Sequence, residues 1–251
     1  MKKNVYGVST PALDWFGDGL YICFSQSKRV MKNKFKTPTG INNLLAEEIG
    51  LHLGDGSMNY YNKRGLFQLR GHINDDKEHY LSRIQVIYKE LFNIDVKLRA
   101  MPSTGVYGFQ IWSNELVDYK RKVFGLPLGK KVNFSIPPEI IRSEELSRNF
   151  LRGYFDTDGC LYLENKRGKP YPRIEMASIS EEFVKQLRDI LTKLGFKFSY
   201  YKENRTKRGW FDLHRIIIRG NEMTLKWFNE IKPANQKHVR KFEKLKMVAP
   251  R

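Results

Sequence analysis

Residues 151–159 read LRGYFDTDG. Leucine, tyrosine and phenylalanine suit a buried helix, while two aspartates and a glycine end one. A second stretch of the same kind lies 103 residues earlier, where residues 48–56 read EIGLHLGDG. Each is an apolar, glycine-containing run that stops on an acidic residue and glycine: Asp55-Gly56 in the first, Asp158-Gly159 in the second. One copy alone would read as a helix stop and turn. Two copies in one chain imply a duplication.

The duplication extends past the motifs. At the same offset Asn62-Lys63-Arg64-Gly65 reappears as Asn165-Lys166-Arg167-Gly168. Tyr80, Leu81, Ile84, Ile87, Tyr88 and Leu91 match Phe183, Val184, Leu187, Ile190, Leu191 and Leu194, with the i, i+4, i+7, i+8 spacing of a helix's buried face. Asn114-Glu115 then matches Asn221-Glu222 at an offset of 107, so one loop has changed length.

Each half reads as a motif helix, a hairpin turning near NKRG, a helix, a second hairpin and a last helix. The hairpins are expected at 57–61 with 66–73 and 95–101 with 106–112, then at 160–164 with 171–178 and 196–203 with 210–219. The helices between and after them are expected at 76–92, 114–124, 180–194 and 221–231. Strand residues alternate: Val96 and Leu98 oppose Lys97 and Arg99, and Phe196, Phe198 and Tyr200 oppose Lys197, Ser199 and Tyr201. The fold class is therefore α+β, two αββαββα repeats, each an antiparallel four-stranded sheet with one apolar face under helices and one wet, basic face. The divisions are a basic N-terminal arm (1–40), a first repeat (41–124), a linker with three prolines (125–142) and a second repeat (143–251). The arm carries seven Lys/Arg against two Asp, and its Asp18-Gly19 reads as a turn.

Of 251 residues, 45 are Lys or Arg and 27 Asp or Glu, a net charge of +18. That field points to nucleic acid. No apolar run approaches the ~20 residues of a membrane span, and no secretion signal is visible, which suggests an intracellular protein. Two cysteines, Cys23 and Cys160, imply neither a disulfide framework nor a zinc site.

Gly50 and Gly54 lie one turn apart on one helix face, as do Gly153 and Thr157. Small residues at that spacing let two helices approach closely. Packing the motif helices side by side about an approximate twofold axis brings Asp55 and Asp158 to the same end. Two carboxylates so close repel unless cations sit between them. Divalent metals with oxygen ligands remove the conflict, and a pair of them can hydrolyse a phosphodiester.

These residues resemble the LAGLIDADG motif. LRGYFDTDG agrees at the first leucine, the glycine, both acidic positions and the last glycine, while EIGLHLGDG is a more degraded copy. Over about residues 41–245 the chain resembles a single-chain, two-repeat LAGLIDADG homing endonuclease. The resemblance implies a monomer, needing no protein partner, that cuts both strands of a long, pseudo-palindromic or asymmetric DNA target and leaves short 3′ overhangs. It implies two or three Mg²⁺ ions, with Mn²⁺ able to substitute, at Asp55 and Asp158 with the adjoining Gly54 and Thr157. Asp156 takes the motif's first acidic position, which is not the usual ligand. A lysine after the last helix of each repeat is implied near the scissile phosphates: Lys131 or Lys130 in the first, Lys237 in the second. His72 is either a water-positioning residue or a structural one.

On this reading the wet sheet faces enter the major groove. Gln68, Arg70, Lys97, Arg99, Gln110, Arg173, Lys197, Tyr201 and Arg215 are the strand candidates for DNA contact. Lys63, Arg64, Lys166 and Arg167 are the loop candidates nearest the hairpin turns, with Arg205, Lys207 and Arg208 farther out. Solvent exposure alone would account for any one of them. The same fold also serves intron RNA maturases and non-cleaving DNA-binding regulators. The absence of a splicing nucleophile and of a terminal His-Asn pair favours a free-standing enzyme over an intein-embedded one.

Overall fold

The computed structural model describes residues 35–166 and 168–248. Most of the N-terminal arm, including Asp18-Gly19 and Cys23, lies outside the described residues, as does Arg167.

The first half runs α1 (Asn43–Asp55), β1 (Gly56–Tyr61), β2 (Arg64–His72), α2 (Lys77–His79), a π-turn (Tyr80–Ile84), α3 (Gln85–Phe92), β3 (Arg99–Met101), β4 (Val106–Trp112) and α4 (Asn114–Phe124). A short α5 (Pro138–Arg142) closes the linker. The second half runs α6 (Glu144–Asp158), β5 (Cys160–Lys166), β6 (Lys169–Ser178), α7 (Glu181–Lys193), β7 (Ser199–Glu203), β8 (Leu213–Arg219), α8 (Asn221–Glu230) and a further helix α9 (Gln236–Val248). The sheets are β1-β2-β4-β3 and β5-β6-β8-β7, antiparallel throughout. The α+β duplication is therefore the architecture.

Side-chain oxygens start the helices. Asn42 accepts from Leu45 N at 2.8 Å, and Ser113, Ser143 and Ser180 cap α4, α6 and α7 in the same way. Each sheet buries one face. Met58 pairs with Phe67 and Leu69 with Phe109, and across the other sheet Leu161, Ile174 and Ile218 align; all seven are buried under the helices.

Four expectations need correction. Leu81 is 48% exposed, whereas its counterpart Val184 is buried. The π-turn adds a residue to that helical turn and swings Leu81 outward, while Tyr80 and Ile84 stay inside. Lys97 and Lys197 are exposed but lie outside β3 and β7, in the irregular segments that precede them. The NKRG copies do not occupy equivalent turns. The first hairpin turns at Asn62-Lys63, both with positive φ (47° and 64°), whereas β5 and β6 stay paired as far as Lys166↔Lys169. Finally, α9 follows the expected last helix and packs Phe242 and Leu245 into the core.

Candidate active site at the seam of the two halves

α1 and α6 pack against each other along the seam. The glycines make this possible. A Cβ on Gly50 would lie 2.8 Å from Tyr154 N, one on Gly153 2.9 Å from Leu51 N, and one on Gly54 2.7 Å from Thr157 Cβ. Any side chain at 50 or 153 would push the backbones apart. The small-residue pairs of the motifs are thus the seam itself.

Asp55 and Asp158 are the last residues of α1 and α6, each followed by a glycine that turns the chain into β1 or β5. Asp55 is half-buried, and Asp158 is exposed as a residue although its carboxyl lies in enclosed surroundings. Burial raises the Asp55 carboxyl to about 7, and the charges of Asp158 and Asp76 add to the rise. Burial raises Asp158 too, opposed by Lys131 and Lys237. Both carboxylates also sit at the negative ends of helix dipoles. The site is therefore short of positive charge.

The two lysines take parallel positions. Lys131 Nζ donates to Leu53 O at 2.9 Å and also to Gly54 O. Lys237 Nζ lies 3.5 Å from Thr157 O and makes an ion pair of 2.9 Å with Asp76. Lys130 instead is exposed, its ammonium 5.6 Å from the Phe211 ring, so only Lys131 of that pair reaches the motif end. Burial lowers the Lys131 pKa, with Asp158 and Asp55 opposing. The carbonyls of Gly54 and Thr157 thus face lysines, and the Thr157 hydroxyl is 3.0 Å from the carbonyls of Gly153 and Tyr154 in its own helix.

Three residues not singled out in the sequence complete the surroundings. Asp76 accepts from His72 N at 2.7 Å and from Asn235 Nδ2 at 2.7 Å, and it holds Lys237. Burial would raise Asp76, but Lys237, Asn235 and the His72 amide outweigh it and hold the carboxyl low. Asn235 also donates to Asp156 O at 2.9 Å. Asp156 itself is buried away from the mouth, accepting from Ala234 N at 2.8 Å, and so anchors the segment that carries Lys237. Tyr80 places its hydroxyl in the buried region behind Asp55 with no hydrogen-bond partner. Asp76 left no repeat signal, because the second half has Ile179 at that position. His72 is exposed at the end of β2, with Nδ1 3.2 Å from Asp75.

The donor set suits a hard divalent cation: two carboxylates and carbonyl oxygens, which among the described residues belong to no cluster with a thiolate or imidazole. Among the described residues no cluster of three or more His, Cys, Asp or Glu forms a metal cage. A cation held here would rely on the paired carboxylates and on oxygens from water or a phosphate.

The outer sheet faces flank this seam. On the first, Gln68 pairs with Gln110, and Arg70 and Arg99 lie either side of Gly108. On the second, Tyr162, Arg173 and Arg219 align across three strands, and Ala177, Arg215 and Tyr201 across another three. Lys63 and Arg64 are exposed at the first hairpin, and Lys166 ends β5. No helix among the described residues is long and apolar enough to cross a membrane.

Two four-stranded antiparallel sheets are thus joined by glycine-packed helices that each end on aspartate. Residues 145–232 match the LAGLIDADG-like domain family. The fold is that of solved homing endonucleases. I-DmoI in complex with DNA and manganese is 16% identical with a TM-score of 0.51, covering 75% of this chain and 96% of that one. I-WcaI bound to its DNA recognition sequence is 17% identical with a TM-score of 0.51, covering 78% and 83%. Among curated proteins, the glutamine–fructose-6-phosphate aminotransferase of Methanocaldococcus jannaschii is 26% identical over 184 residues, 73% of this chain. The chain spans only 15% of that relative's length.

Proposed function

We propose that this protein is a site-specific endonuclease that cuts both strands of a DNA duplex at the seam, with divalent cations held by Asp55 and Asp158. The observation that carries the reading is the pair of motif-end carboxylates, both raised in pKa at one end of a glycine-packed seam. Such a pair is costly without cations. Bound Mg²⁺ or Mn²⁺ would make water a competent nucleophile at neutral pH and neutralise charge on the leaving oxygen. Asp55 and Asp158 hold the cations as carboxylates. Lys131 and Lys237 set ammonium groups beside them, where a scissile phosphate on either strand would come to rest. Asp76 fixes the Lys237 ammonium from the opposite half, and Asn235, two residues away, accepts from the Lys237 backbone N–H at 3.1 Å and donates to Asp76. The sheets carry the duplex, and because they differ in sequence the target need not be a palindrome. Both halves lie in one chain, so the active species is a monomer. The aminotransferase relative favours a separable module, since the shared segment is a small part of a protein named for unrelated chemistry.

The test is to incubate the full chain with a randomised duplex library and Mg²⁺ and to sequence the ends produced. A recurrent staggered double-strand break is expected. Asp55→Asn and Asp158→Asn should each slow it about a thousandfold, the several kcal/mol that such charge stabilisation supplies, while folding and DNA binding persist. Binding without cutting in Mg²⁺ and Mn²⁺ would make the protein a regulator. Preference for structured RNA over duplex DNA would make it a maturase.

A further inference from the structure

The outer face of the second sheet carries charge in a pattern absent from the first. Its acidic and basic side chains form one connected line across all four strands. Arg173 bridges Glu164 at 2.5 Å and Glu175 at 3.0 Å. Arg215 bridges Glu175 and, at 3.1 Å, Glu203. Arg205 then pairs with Glu203 at 2.9 Å. Hydrogen bonds from Arg205 and Arg215 hold the Glu203 carboxyl down to about 2. Three carboxylates thus meet three guanidinium groups, and the line is neutral. The strand positions on the outer face of the first sheet hold no carboxylate.

Glu175 is the centre of the line and only 7% exposed. Its two oxygens are both taken, Oε1 by Arg215 and Oε2 by Arg173. It is therefore too deep and too committed to touch a base itself. Each guanidinium has five N–H donors in a rigid plane. Those of Arg173 and Arg215 spend one terminal N–H on each carboxylate partner and keep further donors unspent, with side chains 27% and 33% exposed. A carboxylate buried between two guanidinium groups gains little net stability over apolar packing, and carboxylates oppose a phosphate-lined partner, so neither stability nor general affinity accounts for the line. Fixed arginine geometry does. A guanidinium held in place loses less entropy on binding and presents its fork at one angle.

We infer that Glu175 is a specificity-determining positioning residue, holding Arg173 and Arg215 so that they read guanine edges in the major groove of the half-site under the second sheet. The inference rests on the protein's binding duplex DNA as proposed above. Arginine to guanine O6 and N7 is the commonest specific major-groove contact. The first sheet, where among the described residues Arg70 meets only Gln110 Oε1 at 3.5 Å and no carboxylate stands on the strands beside Arg70 and Arg99, gains affinity from charge and orders its side chains only on contact.

The experiment compares the full-length wild type with Glu175→Gln and Glu203→Gln, binding in Ca²⁺ to every single-base variant of the preferred duplex. Glu175→Gln keeps the shape but removes the charge that orders both arginines. It should bind an average duplex about threefold more tightly at low salt, having one less repelling charge. It should lose about tenfold in discrimination at base positions of the second half-site and none in the first. Glu203→Gln, on a more exposed carboxylate, releases Arg205 and one of the two carboxylates on Arg215 while Arg173 stays held, and should relax fewer positions; it carries the test if Glu175→Gln melts early. A wild-type profile in the variants, equal relaxation of both half-sites, or a uniform loss of affinity would overturn the inference. A wild type without sequence preference for duplex DNA would overturn both this inference and the proposed function.

Discussion

The two halves share one architecture and fill its centre with opposite chemistry. In the first, Glu48 on α1 pairs with Lys120 Nζ at 2.5 Å and accepts from Tyr88 Oη at 2.5 Å. All three are fully enclosed. The ammonium also lies 4.8 Å from the Phe67 ring. At the equivalent places in the second half stand Leu151, Trp227 and Leu191, equally buried. Burial pulls Lys120 down, with Glu48 opposing, and pushes Tyr88 up. The fold thus demands that this volume be filled and that any charge in it be compensated; it does not demand charge. A buried pair gains Coulomb energy but forfeits hydration, so its net worth over apolar packing is small or negative.

The comparison breaks most sharply when one partner is removed. Lys120→Met leaves Glu48 buried and unpaired, and should cost about 3–5 kcal/mol of stability in urea unfolding. Converting the first half toward the second, with Glu48→Leu, Lys120→Met and Tyr88→Phe together, should be neutral or stabilising by about 1–4 kcal/mol. If the triple variant is as unstable as the single one, the cluster does more than fill space.

At the seam the halves differ by one small residue, Gly54 facing Thr157. Gly54→Ala drives a methyl into the Thr157 side chain and should cost about 1–3 kcal/mol as overpacking. The same change in a Thr157→Gly background should cost much less, because the obstructing atoms are gone. Equal costs in both backgrounds would mean that the two positions do not meet.

The repeat made most of this legible. The 103-residue offset, with helical spacing in one segment and alternation in another, yields element order, sheet faces and the seam, because each depends on local pattern repeated twice. What escaped was of two kinds. Asp76, Asn235 and Lys237 meet across about 160 residues of chain, and a contact that joins the halves unequally leaves no repeat. Glu48 and Lys120 looked like surface charges, since a sequence does not show that two charges share one interior. α9 was partly visible: His238, Phe242 and Leu245 are buried at i, i+4, i+7, but five Lys and Arg among its thirteen residues hid the stripe. The NKRG repeat misled because a tetrapeptide can be copied while the strand pairing around it lengthens.

Acid–base behaviour separates the two motif ends further. Burial, then Asp158, raises Asp55 to about 7, and burial raises Asp156 to about 7. Unfolded carboxyls titrate near ~4, so between ~4 and ~7 these two carboxyls bind more protons in the metal-free folded protein than in the unfolded chain. Their contribution to stability is highest at the acid end of that window and falls as pH rises through about 7. Buried His52, His79 and His238, held low by burial, contribute in the opposite sense as pH falls below ~6.5. Asp156→Asn should therefore lower the thermal midpoint at pH 5 relative to that at pH 8, compared with the wild type. Mg²⁺ at pH 8 should offset only the part due to Asp55, because a cation stabilises a carboxylate that it touches. An unchanged profile in Asp156→Asn would mean that this carboxyl is not strained when ionised.

The smallest expected difference lies at the hairpins. Lys63 stands at the tip of the first, exposed and in the left-handed region. Lys166 ends β5 with its ammonium 3.7 Å from the centre of the Tyr171 ring. A free lysine that neutralises a phosphate releases a counterion, and each such contact adds about 0.9 to the slope of log affinity against log salt. Lys63→Ala should therefore make the slope shallower by about that amount and weaken binding to all sequences alike. Lys166→Ala should change it less, since cation–π attraction competes for its charge. Measuring binding of both variants at several salt concentrations decides the matter. Equal slope changes would show that the ring does not hold Lys166 back. A loss confined to particular base positions would place these hairpin residues among the readers of sequence and remove the division of labour between tips and sheets.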